Sequence, residues 1–184
     1  SVMAAVFQQI ADGRIRKDQV LTLKEEGMVG GSGGLHSLRA GAQLPVADLL
    51  YLMIAISDNP ATNMLVGLVG TKNVDDLMAA QGLPLTRLYR PTFRGGKADV
   101  FPEEEKEYGL GSSTPREMAS LMERIARGQA VSPAASKDME ALLGKQQVHE
   151  VLCRLLPGPD AGVTIAHKTR EDEEKLPDTN GAPG

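Results

Sequence analysis

The sequence contains no tryptophan, three tyrosines, three phenylalanines and one cysteine in 184 residues. With Cys153 alone, no internal disulfide can form, which excludes a small secreted scaffold held by cross-links. So few aromatic rings leave no stacking platform for single strands. A formal net charge of −4 without a basic stripe likewise argues against a nucleic-acid partner. Long apolar runs are missing too. Asp, Asn or Lys interrupts each stretch before it approaches the roughly 18 to 20 residues that a membrane-spanning helix needs, so no membrane span is expected. The first residues, Ser1 to Ala11, lack a basic leader and a cleavage-type end, and read as a helix already under way rather than a signal peptide.

An apolar share of 41% suffices for one compact core, and a single domain is expected over 1–184, with a helical lobe over 1–157 and a strand and tail over 161–184. Val2, Met3, Val6 and Ile10 recur at helical spacing before Asp12-Gly13 closes the turn. Gly30 to Gly34 is too rich in glycine for regular structure and marks a loop where backbone turns sharply or passes closely. Pro45 opens a helix through Leu49, Leu50, Met53 and Ile54 that is apolar almost all round and is expected to be central, clustered with Met118. Ser57-Asp58-Asn59 stops it. Asn59 as cap and Pro60 at the first helical position start the next helix, which Gly70 ends before another from about Val74 to Gln81.

Residues 82–111 show no periodicity and are expected to be irregular, with Glu103 to Glu105 and Glu107 forming a solvated acidic face. Thr114-Pro115-Arg116-Glu117 is a capping box, and Ser132-Pro133 starts a further helix. A short amphipathic piece is expected through Val151, Leu152 and Leu155. Val163 to Thr169 is the one good strand signal, and a lone strand needs partners to stand.

Two constellations fade on inspection. Gly162 with His167-Lys168-Thr169 mimics the end of a phosphate-binding loop, but His167 replaces the glycine whose amide must approach the phosphate. His149 and Cys153 stand one helical turn apart, yet a structural zinc site needs four ligands, so no metal site is expected.

Ser57-Asp58-Asn59 and His167-Lys168-Thr169 come in the order in which penicillin-recognising serine enzymes present S-D-N and then K-T-G. The stretch from Asp48 to Asn63 resembles the class A β-lactamase pattern D-L-L-x-x-M-I-x-x-S-D-N-x-A-x-N at nearly every position. Gly111 to Pro115 resembles that family's T-T-P helix start, so the likeness runs from about residue 2 to 169. It implies an α+β, β-lactamase/transpeptidase-like fold, here mostly the helical lobe with the first strand of the C-terminal part of the sheet.

The resemblance also implies chemistry. Ser57 would pass a proton to the departing lactam nitrogen and Lys168 would place a positive charge beside it. Asn59 would bind the neighbouring lysine and the substrate amide, and Thr169 would bind the substrate carboxylate. The implied substrate is a small β-lactam or a peptidoglycan-like amide, opened without metal or cofactor by a periplasmic or secreted monomer. A penicillin-binding D-Ala-D-Ala peptidase-like relative and a non-catalytic interaction module of the same fold stay open as alternatives.

Three departures bear on this reading. The nucleophile motif S-x-x-K is missing, because Ser1-Val2-Met3 is followed by Ala4. An ungapped register puts the serine about five and the lysine about two residues before Ser1, leaving these residues without turnover, whereas a gapped register makes Ser1 the nucleophile. The hydrolytic E-x-x-x-N is absent, since the asparagines are Asn59, Asn63, Asn73 and Asn180. Arg170 stands where the family has a glycine.

Overall fold

In a computed structural model, residues 1–92, 100–148, 156 and 162–169 are described. Helix α1 (Val2–Ala11) buries five successive residues, Met3 to Phe7, because it packs against three other helices. Those are α3 (Asn59–Val69), α4 (Thr71–Ala80) and α7 (Pro133–Leu143). Gly13, with φ at +71°, lets the chain leave α1 through an N–H bond to the Ile10 carbonyl. A two-stranded antiparallel ribbon follows, β1 (Val20–Thr22) with β2 (Gln43–Pro45), in the register Leu21 opposite Leu44.

Helix α2 (Val46–Ala55) leads directly from β2 and packs on α3 and α7. Pro45 is its N-cap rather than its first helical residue. The expectation of burial all round is corrected: Val46, Leu49, Leu50, Met53 and Ile54 face inward at helical spacing, while Ala47, Asp48 and Tyr51 lie along solvent. The helix is therefore amphipathic, with one exposed stripe. Leu50, Met53 and Ile54 belong to the core, whereas Met118 is half-buried at its edge.

The segment 82–111, expected to be irregular, carries three short elements. They are β3 (Arg87–Leu88), α5 (Pro102–Tyr108) and β4 (Gly111–Ser112), β3 and β4 being paired antiparallel. A Cβ on Gly111 would stand 2.5 Å from the Arg87 carbonyl oxygen, so only glycine allows that pairing. The acidic run is the first turn of α5, where carboxylates favour the positive helix end and Pro102 costs no hydrogen bond.

Helix α6 (Pro115–Ala126) starts where the capping box predicts. The Thr114 hydroxyl accepts from the Glu117 N–H at 3.2 Å, but the Glu117 carboxylate does not return to the cap. It binds the Leu85 N–H and the Thr86 hydroxyl instead, at 3.1 and 2.6 Å, and so ties α6 to the loop before β3. Ser132 caps α7 by accepting from the Ala135 N–H.

Residues 163–169 make no strand ladder among the described residues. Their His167 N–H donates instead to the Leu143 carbonyl at the end of α7. The expected strand is thus a segment without a ladder among the described residues. The expected helix at Val151, Leu152 and Leu155, the pair His149 and Cys153, and Arg170 lie outside the described residues. No helix among the described residues is long and apolar enough to cross a membrane.

Two outcomes are expected from this packing. Leu49→Ala, at a site with no exposure, should cost about 2–5 kcal/mol in urea unfolding, and Leu85→Ala, 55% exposed, no more than about 0.5 kcal/mol. The Asp75 carboxyl on α4 accepts the Leu88 N–H, and burial raises its pKa above the usual carboxylate range. Folding thus favours its protonated form, a contribution complete below the ordinary carboxylate pKa and lost as pH rises through the raised one. Urea unfolding across this range should show Asp75→Asn gaining on the wild type as pH rises towards neutrality.

Candidate active site

Ser57 lies in the turn between α2 and α3 with φ at +56°, a left-handed backbone that a non-glycine residue adopts only when its surroundings enforce it. The enforcement comes from Asp58, which has no solvent exposure. Its Oδ1 accepts the Ala61 N–H at 2.8 Å, so Asp58, and not Asn59, is the cap of α3, with Pro60 at the second helical position. Its Oδ2 accepts the Gly34 and Leu35 N–H groups at 2.7 and 3.0 Å. Amides from two segments therefore satisfy a buried carboxylate.

The glycine-rich loop is the second half of this arrangement. Gly33 has φ at +103°, and a Cβ there would sit 2.2 Å from Asp58 Oδ2. The loop also accepts from Asn59: its main-chain N–H reaches the Ser32 carbonyl at 3.0 Å and its Nδ2 reaches the Gly30 carbonyl at 3.1 Å. With Nδ2 so engaged, Asn59 keeps its Oδ1 as a further acceptor.

From the far end of the chain, Lys168 Nζ donates to Ser57 Oγ at 2.5 Å and to the Thr169 carbonyl oxygen at 2.5 Å. The ammonium and the hydroxyl, 111 residues apart in sequence, thus meet at the surface. Thr169 Oγ1 accepts from Gln146 Nε2 at 3.4 Å. Sequence reasoning missed Gln146 because a lone glutamine after a helix carries no motif. Ser1, the alternative nucleophile, stands at the N-cap of α1 with no side-chain capping bond. A cavity of about 210 Å³ lined by Lys72, Asp75, Arg87 and Phe101 contains neither Ser57 nor Lys168.

Asn63, one turn beyond Asn59 on α3, was legible as part of the matched pattern but not for what it does. Its Oδ1 accepts the Thr92 N–H at 2.8 Å and its Nδ2 donates to the Thr92 carbonyl at 2.9 Å. Arg90 pairs with Glu105 at 2.7 Å and Arg87 with Glu104 at 3.4 Å. Lys106 holds Glu103 at 2.8 Å. Three of the four glutamates of the acidic run are therefore ion-paired.

Solved proteins share this fold. A β-lactamase from Sphaerobacter thermophilus DSM 20745 superposes with a TM-score of 0.74 at 31% identity, over 85% of this chain and 57% of its own. PBP-A follows with a TM-score of 0.72 at 25% identity, over 91% and 58%. A PBP-A mutant solved as an acyl-enzyme complex with penicillin G gives 0.71 at 25%, over 92% and 59%. The fold is thus of the β-lactamase/transpeptidase type. Residues 1–178 match the model of the β-lactamase enzyme family, and the chain belongs to that family. Among curated relatives, the β-lactamases CARB-3 and PSE-4 of Pseudomonas aeruginosa are each 26% identical over 170 residues. That is 90% of this chain and 55% of theirs, so the chain spans about half their length.

The Asp58 clamp gives a direct test. Gly33→Ala forces a Cβ into the carboxylate in a backbone region hostile to alanine, and should cost about 2 kcal/mol or more, whereas Gly30→Ala, with open space around it, should cost about 1 kcal/mol or less. Thermal unfolding of the two variants distinguishes them.

Proposed function

We propose that these residues form the helical lobe and the lysine wall of a serine acyl-transfer enzyme that opens β-lactam amides through an acyl-enzyme. The observation that carries the proposal is the 2.5 Å contact between Lys168 Nζ and Ser57 Oγ, at the S-D-N turn. A hydroxyl that receives a hydrogen bond from an ammonium is free to donate its own hydrogen, and can hand it to a nitrogen leaving a broken amide. The charge beside it favours an anionic substrate. Asn59 Oδ1 serves as acceptor for a substrate amide or a catalytic lysine, and Thr169 binds the substrate carboxylate.

The nucleophile belongs before Ser1 in this reading. Helix α1 runs without interruption from Val2, and Ala4 stands where the activating lysine would follow Ser1. A periplasmic or secreted location, a monomeric state and the absence of a cofactor accompany the proposal on the family's authority alone.

A second reading, a penicillin-binding peptidase-like enzyme that acylates readily and deacylates slowly, is favoured by one observation. Glu103, Glu104 and Glu105 are engaged by Lys106, Arg87 and Arg90 rather than poised for a hydrolytic water. The likeness to PBP-A, a mutant of which was solved as an acyl-enzyme with penicillin G, supports the same view.

Incubating the intact gene product with a chromogenic cephalosporin and following adducts by mass spectrometry separates the readings. Turnover with a short-lived adduct marks a β-lactamase, and a persistent adduct marks the peptidase-like enzyme. With no adduct at all the lobe is an interaction module and the proposal fails. Ser57→Gly is the decisive variant. It removes the hydroxyl yet suits the left-handed backbone, so stability should stay within about 1 kcal/mol while acylation falls about a hundredfold or more.

A further inference from the structure

Gln146, 2% exposed, follows α7 and presses its carboxamide against the end of α2. Its Oε1 accepts the main-chain N–H groups of Gln147 and Val148 at 2.9 and 3.0 Å. Its Nε2 donates to the Ile54 carbonyl at 2.9 Å, and the Gln147 N–H donates to the Ala55 carbonyl at 2.9 Å. Two carbonyls of the last turn before Ser57, which have no partner within the helix, are satisfied in this way. The remaining Nε2 hydrogen points at Thr169 Oγ1. A single buried amide therefore joins the helix that ends at Ser57 to the segment that carries Lys168.

The orientation of that amide is not free. Turned over, it would set an NH2 group against two N–H donors and an oxygen against a carbonyl, so three main-chain contacts would become repulsive. Nitrogen must face Thr169, and Thr169 Oγ1 must accept. A hydroxyl has only one hydrogen, and among the described residues no acceptor takes that of Thr169.

We propose that Gln146 is a positioning residue that sets the proton direction at Thr169, leaving its hydroxyl as a donor to an anionic group of the substrate. The proposal rests on the reading that Thr169 faces the substrate. Selectivity for a carboxylate-bearing amide then depends on a residue that never meets it. A donor to an ionised group matters more than one to a neutral group, so the effect should separate an acid from its ester.

Gln146→Glu reverses the direction. Whether ionised or protonated towards Ile54, its outer oxygen can only accept from Thr169 and so withdraws the hydroxyl hydrogen from the substrate. Gln146→Met neither gives nor takes a hydrogen there. In the intact gene product, the Glu variant should acylate with penicillin G about tenfold more slowly relative to penicillin G methyl ester, an effect of the size of one charge-assisted hydrogen bond. The Met variant, which leaves the hydroxyl free to choose its own direction, should lower that ratio by less than the Glu variant does. An equal loss for acid and ester in the Glu variant would show a merely structural role and overturn the proposal.

A second measurement needs neither turnover nor a well-folded Glu variant. The slowly exchanging side-chain amide signals of Gln146 should shift in Thr169→Val and return in Thr169→Ser. Signals indifferent to both changes overturn the role of Gln146 by themselves. A wild type that forms no adduct with penicillin G overturns the acyl-transfer reading, even where those signals respond.

Discussion

The buried carboxylate of Asp58 is the constraint on which the site depends. Removing a charge from water is costly unless donors replace the lost hydration, and three main-chain N–H groups do so here. Two of them belong to a loop more than twenty residues away in sequence, so the loop and the helix junction hold each other. The left-handed backbone of Ser57 follows from this. The residue before a fully committed cap has little conformational choice, and its side chain meets Lys168. Gly33 is the corresponding concession in the loop, since the carboxylate occupies the volume that any side chain there would need.

Much of the helical lobe was legible because its signals are local. Thr114 and Ser132 each combine a capping hydroxyl with a following proline, and both helices start where those pairs stand. At the Ser57 turn the same logic misassigned the cap. Asp58 and Asn59 are both good capping residues, and a proline is acceptable at either of the first two helical positions, so nothing within the turn itself decides between them. The decision comes from Gly34 and Leu35, which no local pattern connects to it.

The pieces that escaped the sequence reading share a physical cause. Strands of two or three residues, such as β3 and β4, have too few side chains to show alternation and exist because a distant partner meets them. Helix α5 was hidden by its charge, although its glutamates find arginines on β3 and just beyond it. The exposed stripe of α2 was hidden by its composition, because Ala47 and Tyr51 look apolar in a list yet lie along solvent. Gln146 lies at the far end of this series. Its meaning comes wholly from the four groups that surround its amide, none of which could be placed beside it from spacing.

The distance in sequence between Ser57 and Lys168 bears on the order in which the molecule is built. Contacts of low separation form early, and a chain emerging from the ribosome presents its N-terminal part first. The Asp58 clamp, spanning residues 33 to 61, is complete when α3 has emerged, long before Lys168 is synthesised. Ser57 therefore acquires its left-handed backbone in a nascent lobe that has no ammonium beside it. The chemical pairing joins the last-made segment to a turn clamped within residues 33 to 61, so the lysine can be exchanged without breaking any hydrogen bond of the Asp58 clamp.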